Sequence, residues 1–231
     1  MNNDNNRLPL AGVQVVEFTH MVMGPTCGMN LADLGAEVIK VEPPVGDKTR
    51  CLPGLGIAFF RCFNRNKLSV VIDLHMPEGL ANATELIAAC DVMLENFRPG
   101  LMHTLGLSGD QLSAKFPHLI CASHKGFLPG PDENRLALDE VVQNMAGLTC
   151  MTGPPGQPLR AGSSVNDIIG GMFGAIGVLA ALRERDDPHT GTGRGVGGQR
   201  HHHPPGQRAV HRCGRGGRQA HPLQGHRRAG G

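Results

Sequence analysis

Between residues 8 and 190, short runs of β-branched and other apolar residues alternate with stretches of helical periodicity. Residues 12–18, Gly12-Val13-Gln14-Val15-Val16-Glu17-Phe18, read as a strand, and residues 25–34 as a helix with Pro25 near its start. Gly35 ends that helix, and residues 36–42 form the next strand. A third strand over 68–74 precedes a helix that opens at Pro77 and runs to about Ala89. Strands over 91–97 and 119–123 follow, with further helices around Gln111, Val141 and Gly174. Strands separated by helices imply βαβ units. The expected fold is therefore α/β, a Rossmann-like, mainly parallel sheet with helices on both faces.

The alternation stops near residue 191 and divides the chain into a body, 8–190, and a tail, 191–231. The tail carries eight arginines and no acid, whereas residues 1–190 hold 14 basic and 20 acidic side chains, a net of −6. The apparent basicity of the chain thus belongs to the tail. From Val196 onward the sequence is almost wholly Gly, Arg, His, Pro, Gln and Ala, the composition that GC-rich codons yield out of frame. With so little apolar surface to offset ordering entropy, the tail is expected to be disordered. Seven scattered cysteines with no C-x-x-C pair point to reduced thiols and a cytoplasmic location. The start, residues 1–8, lacks the apolar core of a signal peptide, and the longest apolar run, 168–182, is 15 residues. That run is short of the 20 or so a bilayer needs, so it reads as a buried helix and no membrane partner is expected.

Several strings in the tail imitate functional motifs. Gly193-Arg194-Gly195-Val196-Gly197-Gly198 satisfies G-x-G-x-x-G but follows a charged loop rather than a strand. His201, His202, His203, His211, Cys213 and His221 match no structural zinc spacing, so no metal is expected. The arginines among glycines have no aromatic residues interleaved for base stacking, which leaves only nonspecific nucleic-acid binding.

In the body, the chemistry-bearing residues cluster after strands, where open α/β sheets collect ligands. His20 follows the first strand and leads into Met21-Val22-Met23-Gly24-Pro25. His75 follows the third strand, and Asn96-Phe97-Arg98-Pro99-Gly100 the fourth. Lys125 follows the fifth and, like His75, is a candidate to face a phosphate. Each such loop also reads as a plain turn and helix start. Asp167 opens the long apolar helix, in Gly162-Ser163-Ser164-Val165-Asn166-Asp167-Ile168-Ile169-Gly170-Gly171. There, backbone N–H groups and the helix dipole favour an anion, and small residues leave room for an acyl ligand. Ser164-x-x-Asp167 is also a helix-capping pattern, the commoner use of that spacing, and spacing alone leaves both readings open. Asp139 and Glu140 fall at another helix start, where acids are common.

Taken in order, several segments resemble family III CoA-transferases, the CaiB/BaiF family that includes formyl-CoA transferase. These are residues 12–20, Leu34-Gly35-Ala36-Glu37-Val38-Ile39-Lys40-Val41-Glu42-Pro43-Pro44, Gly46-Asp47-Lys48-Thr49-Arg50, Phe63-Asn64-Arg65-Asn66-Lys67, Glu95-Asn96-Phe97-Arg98-Pro99-Gly100 and Gly191-Thr192-Gly193-Arg194-Gly195. The resemblance covers residues 8 to about 195. It implies CoA transfer from an acyl-CoA to a small carboxylic acid through an aspartyl-CoA thioester, with Asp167 as nucleophile and Glu140 beside the reacting centre. It also implies a CoA site lined by Val22, Met23, Ile72, Asp73, Leu74, His75, Asn96, Phe97, Arg98 and Lys125. CoA is then a substrate, no cofactor is held permanently, and the intact family forms interlocked homodimers.

The chain departs from the family pattern in three places. Pro43 and Thr104 stand where formyl-CoA transferase has arginines on the CoA phosphates, and the loop before Asp167 is slightly shorter. Beyond Gly195 the pattern is lost, and with it the family's glycine-rich active-site loop, acceptor pocket and dimer link. A body built as the first part of a larger fold is expected to expose apolar surface and to aggregate. The alternative is a non-catalytic fragment that binds CoA or nucleic acid, or a pseudogene product.

Overall fold

The computed structural model describes residues 8–135 and 137–186. The tail reading, with its glycine, histidine and arginine strings, lies outside the described residues. Five strands carry the fold: β1 (Gln14–Phe18), β2 (Glu37–Glu42), β3 (Lys67–Val71), β4 (Val92–Glu95) and β5 (Ile120–Ser123). They form one parallel sheet in the order β3-β2-β1-β4-β5. Eight helices accompany them: α1 (Met23–Asp33), α2 (Phe59–Phe63), α3 (Pro77–Ala88), α4 (Leu101–Thr104), α5 (Gly109–Lys115), α6 (Asp139–Met145), α7 (Leu148–Thr152) and α8 (Val165–Arg185).

The central strands are apolar on both sides because both faces of the sheet are covered. Successive residues of β1 go to opposite cores. Val15 joins a cluster with Cys27 and Leu31 of α1 and Ala175 and Val178 of α8. Val16 and Phe18 join Ala83 and Ile87 of α3, Met102 of α4 and Leu112 of α5. Helices on both faces of a parallel sheet are what the alternation of the sequence implies. Gly35 follows the α1 C-cap with φ +104°, a conformation costly for any side chain. Pro77 opens α3 as the sequence suggests.

The third and fourth strands are shorter than expected. β3 stops at Val71 because the chain turns at Asp73, whose carboxylate accepts from the His75 N–H at 3.0 Å. β4 stops at Glu95 because the Asn96 amide is engaged with the loop after β1. The link from β2 to β3 is a string of short turns, with 3₁₀ helices at Lys48–Cys51 and Gly54–Ala58 followed by α2.

α8 spans 21 residues, longer than the 15-residue apolar run, and by length and composition it could cross a membrane. Its glycine face packs on α1 and on the end of β5. Ile169, Met172 and Ile176, spaced three and four apart, remain 42%, 50% and 56% exposed, and Leu68 and Val71 on edge strand β3 are also exposed. Apolar side chains are therefore exposed on α8 and on the sheet edge.

The strand order reverses between β1 and β4. β1 leads outward through β2 to β3, and α3 then brings the chain back to the other side of β1. In open parallel sheets, the carboxyl ends of the strands flanking such a reversal leave a crevice.

Candidate active site

Charged residues inside the strands pair with one another and with the segments that follow the strands. Lys67 donates to both Glu17 carboxylate oxygens, at 2.9 and 3.0 Å, and to the Pro25 carbonyl at 2.9 Å. Lys40 lies 3.0 Å from Asp47 Oδ2 and donates to the Thr19 carbonyl at 2.6 Å. The neighbouring Glu42 carboxylate takes a two-pronged bond from Arg50, 2.7 Å on each arm. The guanidinium holds the Glu42 pKa down to about 2, although burial works against it. These pairs tie the loops after β1 and β2 to the sheet.

The loop after β1 is fixed further by Asn96. Its Oδ1 accepts from the His20 N–H at 2.9 Å, and its Nδ2 donates to the His20 carbonyl at 2.8 Å. The His20 ring stands 5.6 Å from the Phe97 ring, and burial lowers its pKa. Met21 adopts φ +63°, an uncommon conformation for a non-glycine residue, and its N–H bonds Thr49 Oγ1 at 3.1 Å.

A cavity of about 740 Å³ opens above this loop. One wall is apolar, from Leu52, Pro53, Phe59 and Phe63, and the opposite wall brings Asp167 of α8 together with Asp139 and Glu140 of α6. Val22, Met23 and Asn96 also line it. Of the residues expected at the site, Asp167, Glu140, Val22, Met23 and Asn96 thus meet at one cavity, with Phe97 adjoining through His20.

The others lie elsewhere along the carboxyl edge. Ile72 and Leu74 pack into the core beside α3, with Asp73 and His75 in the turn between them and Pro77. Arg98 is exposed and does not line the cavity. Lys125, expected to face a phosphate, is paired with Glu95 at 2.7 Å and donates to the Phe97 carbonyl at 2.6 Å.

The environment of Asp167 differs from the sequence reading. Ser164 makes no side-chain cap. Instead Asp139 Oδ1 accepts from the backbone N–H of Asn166 at 2.8 Å and of Asp167 at 3.2 Å. Those N–H groups are therefore taken, and they do not solvate the Asp167 anion as a free helix start would. Burial, with Asp139 and then Glu140 nearby, pushes the Asp167 carboxyl up to about 7.

The small residues of α8 also have a use other than admitting a ligand. A Cβ on Gly171 would meet the Met23 carbonyl oxygen at 2.5 Å, and one on Gly174 would meet His124 Nε2 at 2.2 Å. The glycines allow close packing beneath the site. His124 is buried there with its pKa lowered to about 4. Among the described residues, no group of three or more His, Cys, Asp or Glu side chains is placed to hold a metal ion.

Sequence reasoning placed Asp139 at a helix start without giving it a role, and it missed Gln143. Their only signal is an acid and an amide four apart on a helix, and one helix in isolation would leave both in water.

A parallel sheet with a cavity and a proton-holding carboxyl at its strand reversal defines an α/β scaffold of the kind that takes ligands at the carboxyl ends of its strands. The family model for CoA-transferase family III matches residues 10–199, and the chain belongs to that family. The formyl-CoA:oxalate CoA-transferase of Bradyrhizobium sp. (strain ORS 278) is 42% identical over 193 residues, covering 81% of this chain and 45% of the relative. That of Rhodopseudomonas palustris (strain BisA53) is 42% identical over 192 residues, covering 80% and 44%. A CaiB/BaiF family protein from Brucella suis superposes with a TM-score of 0.75 at 37% identity, covering 82% of this chain and 52% of that one. A hypothetical protein from Mycobacterium tuberculosis superposes with 0.74 at 39% identity, covering 79% and 52%. The chain spans about half the length of the relatives it matches.

Proposed function

We propose that this chain carries the nucleophile-bearing part of an enzyme that moves CoA from an acyl-CoA to a carboxylic acid. The observation that supports it most is the half-buried Asp167 carboxyl, with its pKa raised to about 7, on the wall of a cavity at the sheet's strand reversal. A carboxylate freed of its proton near neutral pH is a competent nucleophile, and covalent catalysis divides a hard exchange into easier steps.

In the first step an Asp167 oxygen attacks the thioester carbonyl carbon. The C–S bond breaks, CoA leaves as thiolate, and an acyl-aspartyl anhydride forms. The thiolate then attacks the aspartyl carbonyl, expelling the donor's acid as carboxylate and leaving an aspartyl-CoA thioester. An acceptor carboxylate reverses the two steps and departs as its own CoA ester. No net proton or electron is exchanged. The loop held by Asn96, with Val22 and Met23, would take the pantetheine end, and Glu140 borders the acyl site. Ile72 to His75, Arg98 and Lys125 remain candidates for the more distant nucleotide end. CoA is a substrate here, no permanent cofactor enters, and a cytoplasmic homodimer fits this reading.

Formyl-CoA and oxalate, the pair that names the relatives, are the first substrates to test. The full chain, incubated with formyl-CoA and isotopically labelled oxalate, should form labelled oxalyl-CoA, and Asp167→Ala should abolish it. Exchange that survives in Asp167→Ala would remove Asp167 from the mechanism. If neither protein exchanges, a trap for the first step remains: hydroxylamine should leave a hydroxamate on Asp167 after incubation with acyl-CoA. No hydroxamate there would refute the reading for this chain.

A further inference from the structure

The start of α8 is held by another helix. Asp139 and Gln143 stand four residues apart on α6 and are 5% and 0% exposed. Asp139 Oδ1 accepts from the N–H groups of Asn166 and Asp167, and its Oδ2 accepts from the Gln143 amide. Gln143 Oε1 accepts from the Ala161 N–H at 2.7 Å, and Gln143 Nε2 donates to the Ser163 carbonyl at 3.1 Å. One buried pair therefore fixes the backbone at four positions between 161 and 167, the stretch that delivers Asp167.

The same contacts decide the polarity around Asp167. A helix start offers unpaired N–H groups and partial positive charge to an anion. Here a fixed carboxylate takes both N–H groups and adds a negative charge. Glu140 from α6 adds a second like charge to Asp167, and Arg160 from the preceding loop, His20 after β1 and His124 after β5 line the same cavity. Arg160 is half exposed and lies 3.9 Å from Glu140, while His124 is buried and neutral at pH 7. None of these replaces the two N–H groups as a donor bonded to Asp167.

We propose that Asp139 is a positioning residue for Asp167: clamped by Gln143, it anchors the start of α8 and, by occupying the N–H groups of Asn166 and Asp167 and adding its own negative charge nearby, leaves the Asp167 carboxylate sparsely solvated beside a like charge and therefore more basic and nucleophilic. The nucleophilic part rests on the function proposed above, whereas the anchoring and the effect on proton affinity do not.

The test is a carboxyl-carbon NMR titration of the full chain labelled with ¹³C-aspartate, the Asp167 signal being assigned by its loss in Asp167→Asn. Asp139→Asn keeps an acceptor oxygen but removes the charge. It should lower the Asp167 titration midpoint by about one pH unit, a tenfold loss of proton affinity. Asp139→Glu, which keeps the charge, should restore the wild-type midpoint. Asp139→Ala also removes the acceptor and should speed hydrogen exchange at the Asn166 and Asp167 amides by at least about tenfold. Should that variant fail to fold, Asp139→Asn and Asp139→Glu carry the test alone.

An unchanged midpoint in Asp139→Asn overturns the proposal, and so do amides equally protected in a folded Asp139→Ala. Release of CoA thiol from acyl-CoA, compared between wild type and Asp167→Asn, separates the two claims. No release with a shifted midpoint refutes the nucleophile and keeps the anchor. Release with no shift refutes Asp139 and keeps the nucleophile.

Discussion

Lys67, on edge strand β3, closes on Glu17 of the central strand β1 at 2.9 Å, with 2% and 0% of their side chains exposed. Lys40 of β2 approaches the same carboxylate to 3.7 Å. Two cations thus share one buried carboxylate, with Asp47 as the second acid. Most of the motifs that mark the family in this sequence supply this scaffold: Glu17, Lys40, Glu42, Asp47, Arg50 and Lys67 all lie within them. Their shared task is to hold the loops after β1 and β2.

Breaking such a pair on one side leaves a buried charge without its partner. Lys67→Met is expected to destabilise the chain by about 3–5 kcal/mol, read from urea unfolding. Glu17→Leu combined with Lys67→Met should recover part of that loss, since Lys40 keeps Asp47. A single-variant loss below about 1 kcal/mol would show that the pair contributes little.

The strands were legible because buried parallel strands are short, nearly continuous apolar runs, as in Val15-Val16 and Val92-Met93-Leu94. Gly35 and Pro77 marked helix ends by their own backbone chemistry. The path from β2 to β3 was not legible, because 48–63 breaks into short turns with no sustained period. Asp167, Val22, Met23 and Asn96 could be placed by their position after strands or at a helix start. The roles of Asp139 and Gln143 could not be read, because they act on backbone 18 to 28 residues further along. The partner of Lys125 was hidden for the same reason: Glu95 is 30 residues back and buried at the end of β4.

The glycines of α8 follow from how closely it approaches α1. Gly171→Ala places a methyl 2.5 Å from the Met23 carbonyl oxygen and 2.6 Å from Thr26 Cβ. Backbone cannot move aside as a flexible side chain can. The variant should lose about 1–3 kcal/mol, despite the gain of about 1 kcal/mol that alanine brings to a helix interior. Met172→Ala, at a half-exposed position, should stay within about 0.5 kcal/mol. Similar unfolding midpoints for the two would contradict the packing described.

Two buried titratable groups act on stability in opposite directions. Asp167, raised to about 7 from an ordinary 3.8, keeps a proton in the native chain that the unfolded chain has lost over that range. Stability therefore falls as pH rises from about 4 to 7. His124, lowered to about 4 from 6.5, refuses a proton that the unfolded chain accepts. Its contribution is complete above pH 6.5 and is lost as pH falls towards 4. Each slope is about 1.4 kcal/mol per pH unit, so the two largely offset each other. Relative to wild type, Asp167→Asn should gain stability with rising pH between 4 and 7. The advantage of His124→Asn over wild type should instead shrink with rising pH between 4 and 6.5. Urea midpoints across that range measure both, and an Asp167→Asn curve parallel to wild type would contradict the raised Asp167.

The cysteines report on the core and the cavity wall together. Burial pushes the thiols of Cys27, Cys90 and Cys121 up, to about 11 for Cys90 and about 12 for Cys121. Buried thiols rarely present the reactive thiolate. Cys51, Cys62 and Cys150 are exposed. In a Cys213→Ser background, a maleimide should label these three quickly, the half-buried Cys121 slowly, and the buried Cys27 and Cys90 only on unfolding. Cys51 and Cys62 flank the stretch that supplies Leu52, Pro53, Gly56 and Phe59 to the cavity, while Cys150 lies on α7, which does not line it. Saturating CoA should therefore slow labelling at Cys51 and Cys62 and leave Cys150 unchanged. Equal rates at Cys27 and Cys51 would contradict the core. If CoA slows none of the three, or all three alike, the wall formed by residues 52–63 does not face bound CoA.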